Sequence, residues 1–322
     1  MLSLGKWRGM QAATTPQGAF VIMALDHRNN LRALLRPDAP KEVTTADMAE
    51  FKSQVVAALA PASSAILLDP VYGVGQSIVG DALPGQTGLI VTLDETGYTG
   101  PSNARVSEIL AGWSVEKIKR IGADGVKLLV YYHPDASNVA RQDALIARVA
   151  EDCDRYDIAL YLELLSFSLD PASKKLKSDE REQVVIESAR RVSNMGITIL
   201  KAEFPVDHTA NTDETHWLES CRKLTAASVT PWVLLSAAAQ YDVFKRQVLI
   251  SAQAGASGVM VGRAAWQEAP TLRGQARIDF LRGEGVRRMQ ELGDILRQHA
   301  RPWQAVYRPQ SPAIDEHWYK QY

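Results

Sequence analysis

Ile197-Thr-Ile-Leu-Lys-Ala-Glu-Phe-Pro205 is a β-branched, apolar run that carries a lysine, Lys201, inside a strand expected to be buried. Burying an ammonium group is costly, so such a lysine either gives up its proton or finds a carboxylate. A neutral lysine is a nucleophile toward ketones and aldehydes. One paired with a neighbour such as Glu203 only holds a strand end. What surrounds the strand decides between the two.

Seven further runs of the same character occur along the chain: Phe20 to Leu25, Ala65 to Leu68, Gly88 to Leu93, Val126 to Tyr131, Ile158 to Leu162, Trp232 to Leu235 and Gly258 to Val261. Between most of them lie amphipathic stretches, namely Thr45 to Leu59, Val115 to Ile121, Asn138 to Arg155, Asp179 to Asn194, Asp213 to Ala227 and Tyr241 to Ala254. Strands alternating with helices favour a parallel sheet. Two connections, Ile121-Gly-Ala-Asp-Gly125 and Ala254-Gly-Ala-Ser-Gly258, place glycine where a helix ends and a strand begins. Eight such units without a dinucleotide glycine fingerprint predict an α/β fold, a single-domain (β/α)₈ TIM barrel over residues 1–300. Val71 to Pro84 has room for only a short helix. Residues 301–322 form an aromatic extension with Trp303, Tyr307, Trp318, Tyr319 and Tyr322, expected to pack on the barrel or on a neighbouring subunit.

The 322 residues are 46% apolar and 23% charged, with a net charge of −1. Near-neutral charge argues against a nucleic-acid or membrane-surface partner. Cys153 and Cys221 are the two cysteines, too few for a disulfide framework or a cysteine metal cluster. With no run long enough for a membrane span, the expectation is a cytoplasmic protein that assembles with copies of itself.

Barrel chemistry sits at the C-terminal strand ends. There the chain carries Asp26-His27-Arg28, Asp69-Pro70, Asp94-Glu95, Lys127, Glu163, Lys201 with Glu203, Ser236, and Gly262-Arg263. Charges converging from nearly every strand exceed what solubility or pairing requires. Lys127, on a neighbouring or near-neighbouring strand, would disfavour a proton on Lys201. Asp26 and Glu163 supply proton acceptors. After the last two strands, where barrels build phosphate sites, Gly262 lets the backbone approach an anion and Arg263 adds a clamp. The six histidines fall on different elements without ligand spacing, so no metal and no cofactor is expected, although His27 and His133 could both lie near the mouth.

The chain resembles the class I tagatose-1,6-bisphosphate aldolases and, less closely, the sulfofructose-phosphate aldolases. The likeness runs from Leu25 to Trp266 through Leu25-Asp-His-Arg28, Ile66-Leu-Leu-Asp-Pro70, Glu95-Thr-Gly-Tyr98, Gly122-Ala-Asp-Gly-Val-Lys-Leu-Leu-Val-Tyr-Tyr132, Leu162-Glu163, Leu200-Lys-Ala-Glu-Phe-Pro-Val206, Leu235-Ser-Ala237 and Gly258-Val-Met-Val-Gly-Arg-Ala-Ala-Trp266. The resemblance implies Schiff-base chemistry on Lys201, assisted by Asp26, Lys127 and Glu163. It also implies phosphate contacts at Ser236 and Gly262-Arg263, and cleavage of a phosphorylated ketohexose to dihydroxyacetone phosphate and a three-carbon aldehyde. Arg28 is expected to hold the anion at the far end of the substrate, or else to pair with Asp26 or Asp69. Two departures stand out: His27 replaces the family's glutamine, and Ala238 replaces its glycine. The first is expected to alter recognition at the far end of the substrate, and the second to disturb the backbone of the phosphate loop. The alternatives are cleavage of 6-deoxy-6-sulfofructose 1-phosphate and, in a different class, a sensor barrel that binds sugar phosphate without turnover.

Overall fold

The computed structural model describes residues 1–173, 175–309, 316–320 and 322. Eight parallel strands close into one barrel in sequence order. They are β1 Phe20–Leu25, β2 Ala65–Leu68, β3 Gly88–Thr92, β4 Gly125–Tyr132, β5 Ala159–Ser166, β6 Ile199–Ala202, β7 Trp232–Leu235 and β8 Gly258–Val261. The helices are α1 Leu4–Ala12, α2 Asn29–Leu35, α3 Thr45–Leu59, α4 Val74–Val79, α5 Val115–Arg120, α6 Val139–Arg155, α7 Ser178–Val192, α8 Glu214–Ala227, α9 Tyr241–Gln253, α10 Arg263–Trp266, α11 Gly274–Phe280 and α12 Val286–His299. The barrel and its eight units are as the sequence predicts, including the short helix α4 after β2. None of the helices is long and apolar enough to cross a membrane among the described residues.

Local chemistry starts and stops these elements. Thr44 caps α3 by accepting from the Asp47 amide, and the Asp47 carboxylate accepts from the Thr44 amide in return. Gly255, at φ +104°, turns the chain from α9 toward β8. Closure of the barrel needs glycine again at Gly258, where an added Cβ would lie 2.1 Å from the Phe20 carbonyl oxygen of β1. A longer side chain there would push apart the pairing that closes the ring.

The core has two layers. Outward side chains of the strands pack against the helices, while Phe20, Ile22, Ala65, Leu67, Ile90, Ala159, Tyr161, Ile199, Val233 and Met260 fill the barrel. Because strand side chains alternate with period two, inward Tyr161 puts Glu163 inward, inward Ile199 puts Lys201 inward, and Gly125 puts Lys127 inward. β6 lies two residues later than the run Ile197 to Leu200 suggests, because Thr198 is spent on the β5 edge, its amide donating to the Leu160 carbonyl and its hydroxyl accepting from the Leu160 amide. Lys201 is therefore within the strand and not at its end.

Both ends of the described chain cover the barrel floor. Trp303 is fully buried there, stacked edge-on against Trp7 at 4.5 Å, with its ring N–H on the Thr14 hydroxyl. The Tyr307 hydroxyl donates to the Thr198 carbonyl. Residues 310–315 and 321 of the aromatic extension lie outside the described residues. At the opposite face, Ala237 and Ala238 in the loop after β7 have φ of +45° and +58°, the left-handed region that disfavours alanine.

Two stability measurements follow from these features. Trp303→Ala should lower the unfolding free energy in urea by about 3–5 kcal/mol, as for other large-to-small changes in a packed core. Ala238→Gly should raise it by about 1 kcal/mol, since relief of left-handed strain outweighs the added freedom of the unfolded chain.

Candidate active site

The C-terminal strand ends enclose a cavity of about 380 Å³. Asp26, Arg28, Lys127, Glu163, Lys201, Ser236, Gly262 and Arg263 all line it, so the strand-end residues singled out from the sequence share one chamber. A larger open groove of about 1190 Å³ lies at the opposite end of the barrel and contains neither lysine.

Glu163 organises the chamber. β5 stands between β4 and β6, and the Glu163 Oε2 atom is 3.0 Å from the Lys127 Nζ and 2.9 Å from the Lys201 Nζ. The two lysine nitrogens do not face each other across empty space. A carboxylate bridges them. Lys127 also lies 2.7 Å from Asp26 Oδ2 and 3.3 Å from Asp94 Oδ1. Burial alone would push the Lys127 ammonium down, but Asp26, Asp94 and Glu163 override it and hold it well above the usual lysine value. The converse holds for the acids. Burial would raise Asp26 and Glu163, yet Lys127 and Lys201 bring both below the usual carboxylate range, so both are ionised.

Two strand-end carboxylates face elsewhere. Glu203 accepts from the Ser166 amide and pairs with Arg181 at 3.2 Å, so it is not the partner of Lys201. Asp69 is fully buried against Lys52 of α3. Asp94, which the spacing of motifs singled out only as a polar strand end, is a principal organiser. Its Oδ1 accepts from the Thr92 hydroxyl and the Leu129 amide while facing Lys127. Arg28 pairs with neither Asp26 nor Asp69. It donates to the Asp94 carbonyl at 2.5 Å and lies 3.7 Å from the carboxylates of Asp94 and Glu95. The connection from Leu93 to Ser114 that brings these acids in is pinned by isolated bridges at Asp94–Ile109 and Thr99–Val106, a local arrangement with no period to read.

The other end of the chamber is set for an anion. Among the described residues Arg263 has no hydrogen-bond or ion-pair partner, and the amides of Ala237 and Ala238 have no acceptor. Burial holds the Arg263 guanidinium below its ordinary value. The Gly262 amide donates to the Ser236 hydroxyl at 3.2 Å, which ties the loops after β7 and β8 together. Ala238, where the resembling family has glycine, takes a left-handed backbone that glycine would adopt without strain. His27 corrects a second expectation. Its ring stands edge-on to Trp266 at 5.2 Å and against Gly262, at the Arg263 end of the chamber and not the far end. Burial outweighs Asp26 and takes the imidazole down to about 4, so it is neutral near pH 7. His133 is spent locally, its Nδ1 accepting from the Asp135 amide. Among the described residues no three His, Cys, Asp or Glu side chains group to hold a metal ion.

Known proteins similar to this chain include named aldolases. Tagatose 1,6-diphosphate aldolase 2 from Streptococcus mutans is 30% identical over 329 residues, covering 94% of this chain and 98% of that protein. Its namesake from Streptococcus pyogenes serotype M3 is 31% identical over 314 residues, 89% of this chain and 93% of that one. Among solved structures, an archaeal fructose 1,6-bisphosphate aldolase aligns with a TM-score of 0.60 at 17% identity, covering 91% of this chain and 99% of its own. Fructose-bisphosphate aldolase from Plasmodium falciparum aligns at 0.74 and 13%, covering 92% and 95%. At those identities the structural likeness is one of fold. The model of the DeoC/LacD family aldolases matches residues 20–268, from the first strand through the helix after the last, and the chain belongs to that family.

Proposed function

We propose that the protein is a class I aldolase that cleaves a phosphorylated ketohexose, with tagatose 1,6-bisphosphate as the leading substrate, to dihydroxyacetone phosphate and a three-carbon aldehyde. The observation that carries this reading is the buried Lys201 amine 2.9 Å from an ionised Glu163 that also contacts Lys127. The substrate follows from the names of the relatives together with the anion-ready end around Arg263.

Glu163 is close enough to take a proton from Lys201 as the amine adds to the C2 ketone, giving a carbinolamine. Loss of water takes that proton back from Glu163, relayed through Lys127 and Asp26, gives an iminium and leaves Glu163 a carboxylate again. Breaking the C3–C4 bond sends its electron pair into that cation and leaves an enamine, while the proton of the C4 hydroxyl passes to Glu163. Protonation at C3 and hydrolysis then release the triose phosphate. Lys127, surrounded by carboxylates, remains a cation and acts as a donor and not as the nucleophile. In the same proposal the C1 phosphate is held by Arg263 and the Ser236–Gly262 loops, Arg28 is at the C6 end, and the enzyme is cytoplasmic and assembles with copies of itself, the exposed tail residues Tyr319 and Tyr322 supporting the assembly.

Borohydride reduction in the presence of dihydroxyacetone phosphate should attach the triose to Lys201 and abolish activity, and Lys201→Ala should lose several orders of magnitude in kcat. Peptide mapping that finds the label on Lys127 would reverse the assigned roles. Arg263→Ala should weaken binding of every 1-phosphorylated substrate by about 1.5–3 kcal/mol. Arg28→Ala, by contrast, should impair a bisphosphate more than a 1-monophosphate. Equal losses on the two substrates would reduce Arg28 to a support for Asp94 and Glu95.

A further inference from the structure

Lys52 lies midway along α3 among Met48, Phe51 and Val55, and both it and Asp69 are wholly without solvent exposure. Its ammonium donates to the Asp69 carboxylate and, at 2.6 Å, to the carbonyl of Leu25. That carbonyl belongs to the peptide group leading into Asp26. The second Asp69 oxygen accepts from the Val71 and Tyr72 amides at 2.9 and 2.8 Å, and Leu25 and Leu68 are partners in the β1–β2 ladder. Three elements, α3, the end of β1 and the loop after β2, therefore meet at one ammonium group.

Stability alone does not call for this arrangement. Burial pushes the Lys52 ammonium down against the attraction of Asp69, and a buried ion pair is often no more stabilising than apolar side chains of like volume. The neighbours on α3 would accept a methionine. What only a cationic donor supplies is a fixed anchor on the last carbonyl before Asp26.

We infer that Lys52, held by Asp69, is a positioning residue that sets Asp26 at hydrogen-bonding distance from Lys127 for the proton transfers of carbinolamine dehydration. This rests on the Schiff-base reading of Lys201. The variant Lys52→Met/Asp69→Asn removes the charges and keeps an acceptor for the loop amides. It should melt close to the wild type, with KM nearly unchanged and kcat and the rate of borohydride trapping by dihydroxyacetone phosphate both lowered roughly 100-fold, the scale of a small misplacement at a reacting centre. Should that variant not fold, Lys52→Gln/Asp69→Asn, whose shorter amide cannot span both acceptors, is expected to show the same loss confined to kcat. A folded variant of either kind with wild-type kcat and trapping would overturn the inference. Wild-type protein that is not trapped would sink the Schiff-base reading and this inference with it, whereas a trapped wild type beside an equally active variant sinks the inference alone.

Discussion

The ammonium of Lys127 is the fixed point of the barrel mouth. With 1% of its surface exposed it lies within reach of carboxylates from three other strands or their ends, Asp26, Asp94 and Glu163. A buried cation of this kind stays charged only because several anions surround it, and those anions stay ionised because the cation is there. Lys201 enters the same network through Glu163. The orientation of each group is thus set by the others, and no group in the cluster can be moved without leaving a buried charge uncompensated.

That network divides the chamber by polarity. Toward β3 and β4 lie the acids Asp94 and Glu95 with Arg28 tied to them, so positive charge there is already matched. Toward β7 and β8 stand a guanidinium and two amides that have no partners among the described residues, and a neutral imidazole. For a substrate that is anionic at both ends the two ends of the chamber are therefore not equivalent, since an anion near Arg28 would share its cation with Asp94 and Glu95.

Much of this was legible in the chain because barrels turn a linear order into a ring. Lys127, Glu163 and Lys201 each follow an inward residue by two, so period-two reading is enough to aim them at one another. Asp26, Ser236, Gly262 and Arg263 follow from the rule that strand ends face the mouth. Residues whose role depends on contacts between distant segments were not legible. Lys52 sits in an amphipathic helix where a lysine reads as solvent-facing, and its partner is 17 positions away on another element. The destination of Arg28 depended on the loop from Leu93 to Ser114, whose bridges join residues with no shared period. His27 turned toward Trp266, a contact across nearly the whole chain that no local pattern encodes.

The floor of the barrel has a bearing on how the chain reaches this state. Its covering is made of Met10 and Trp7 from one end and Trp303 from the other, with Leu2 bridged to Pro309. The ring itself is completed by pairing β8 with β1, residues some 240 positions apart in sequence. Contacts of such separation form late, since the loop they close must first be ordered. During synthesis, then, the first seven strands emerge with one edge of β1 unpaired and the barrel interior open below. Only after Trp303 has left the ribosome can the interior be sealed, which leaves the nascent barrel exposed at both that edge and its base for most of its translation.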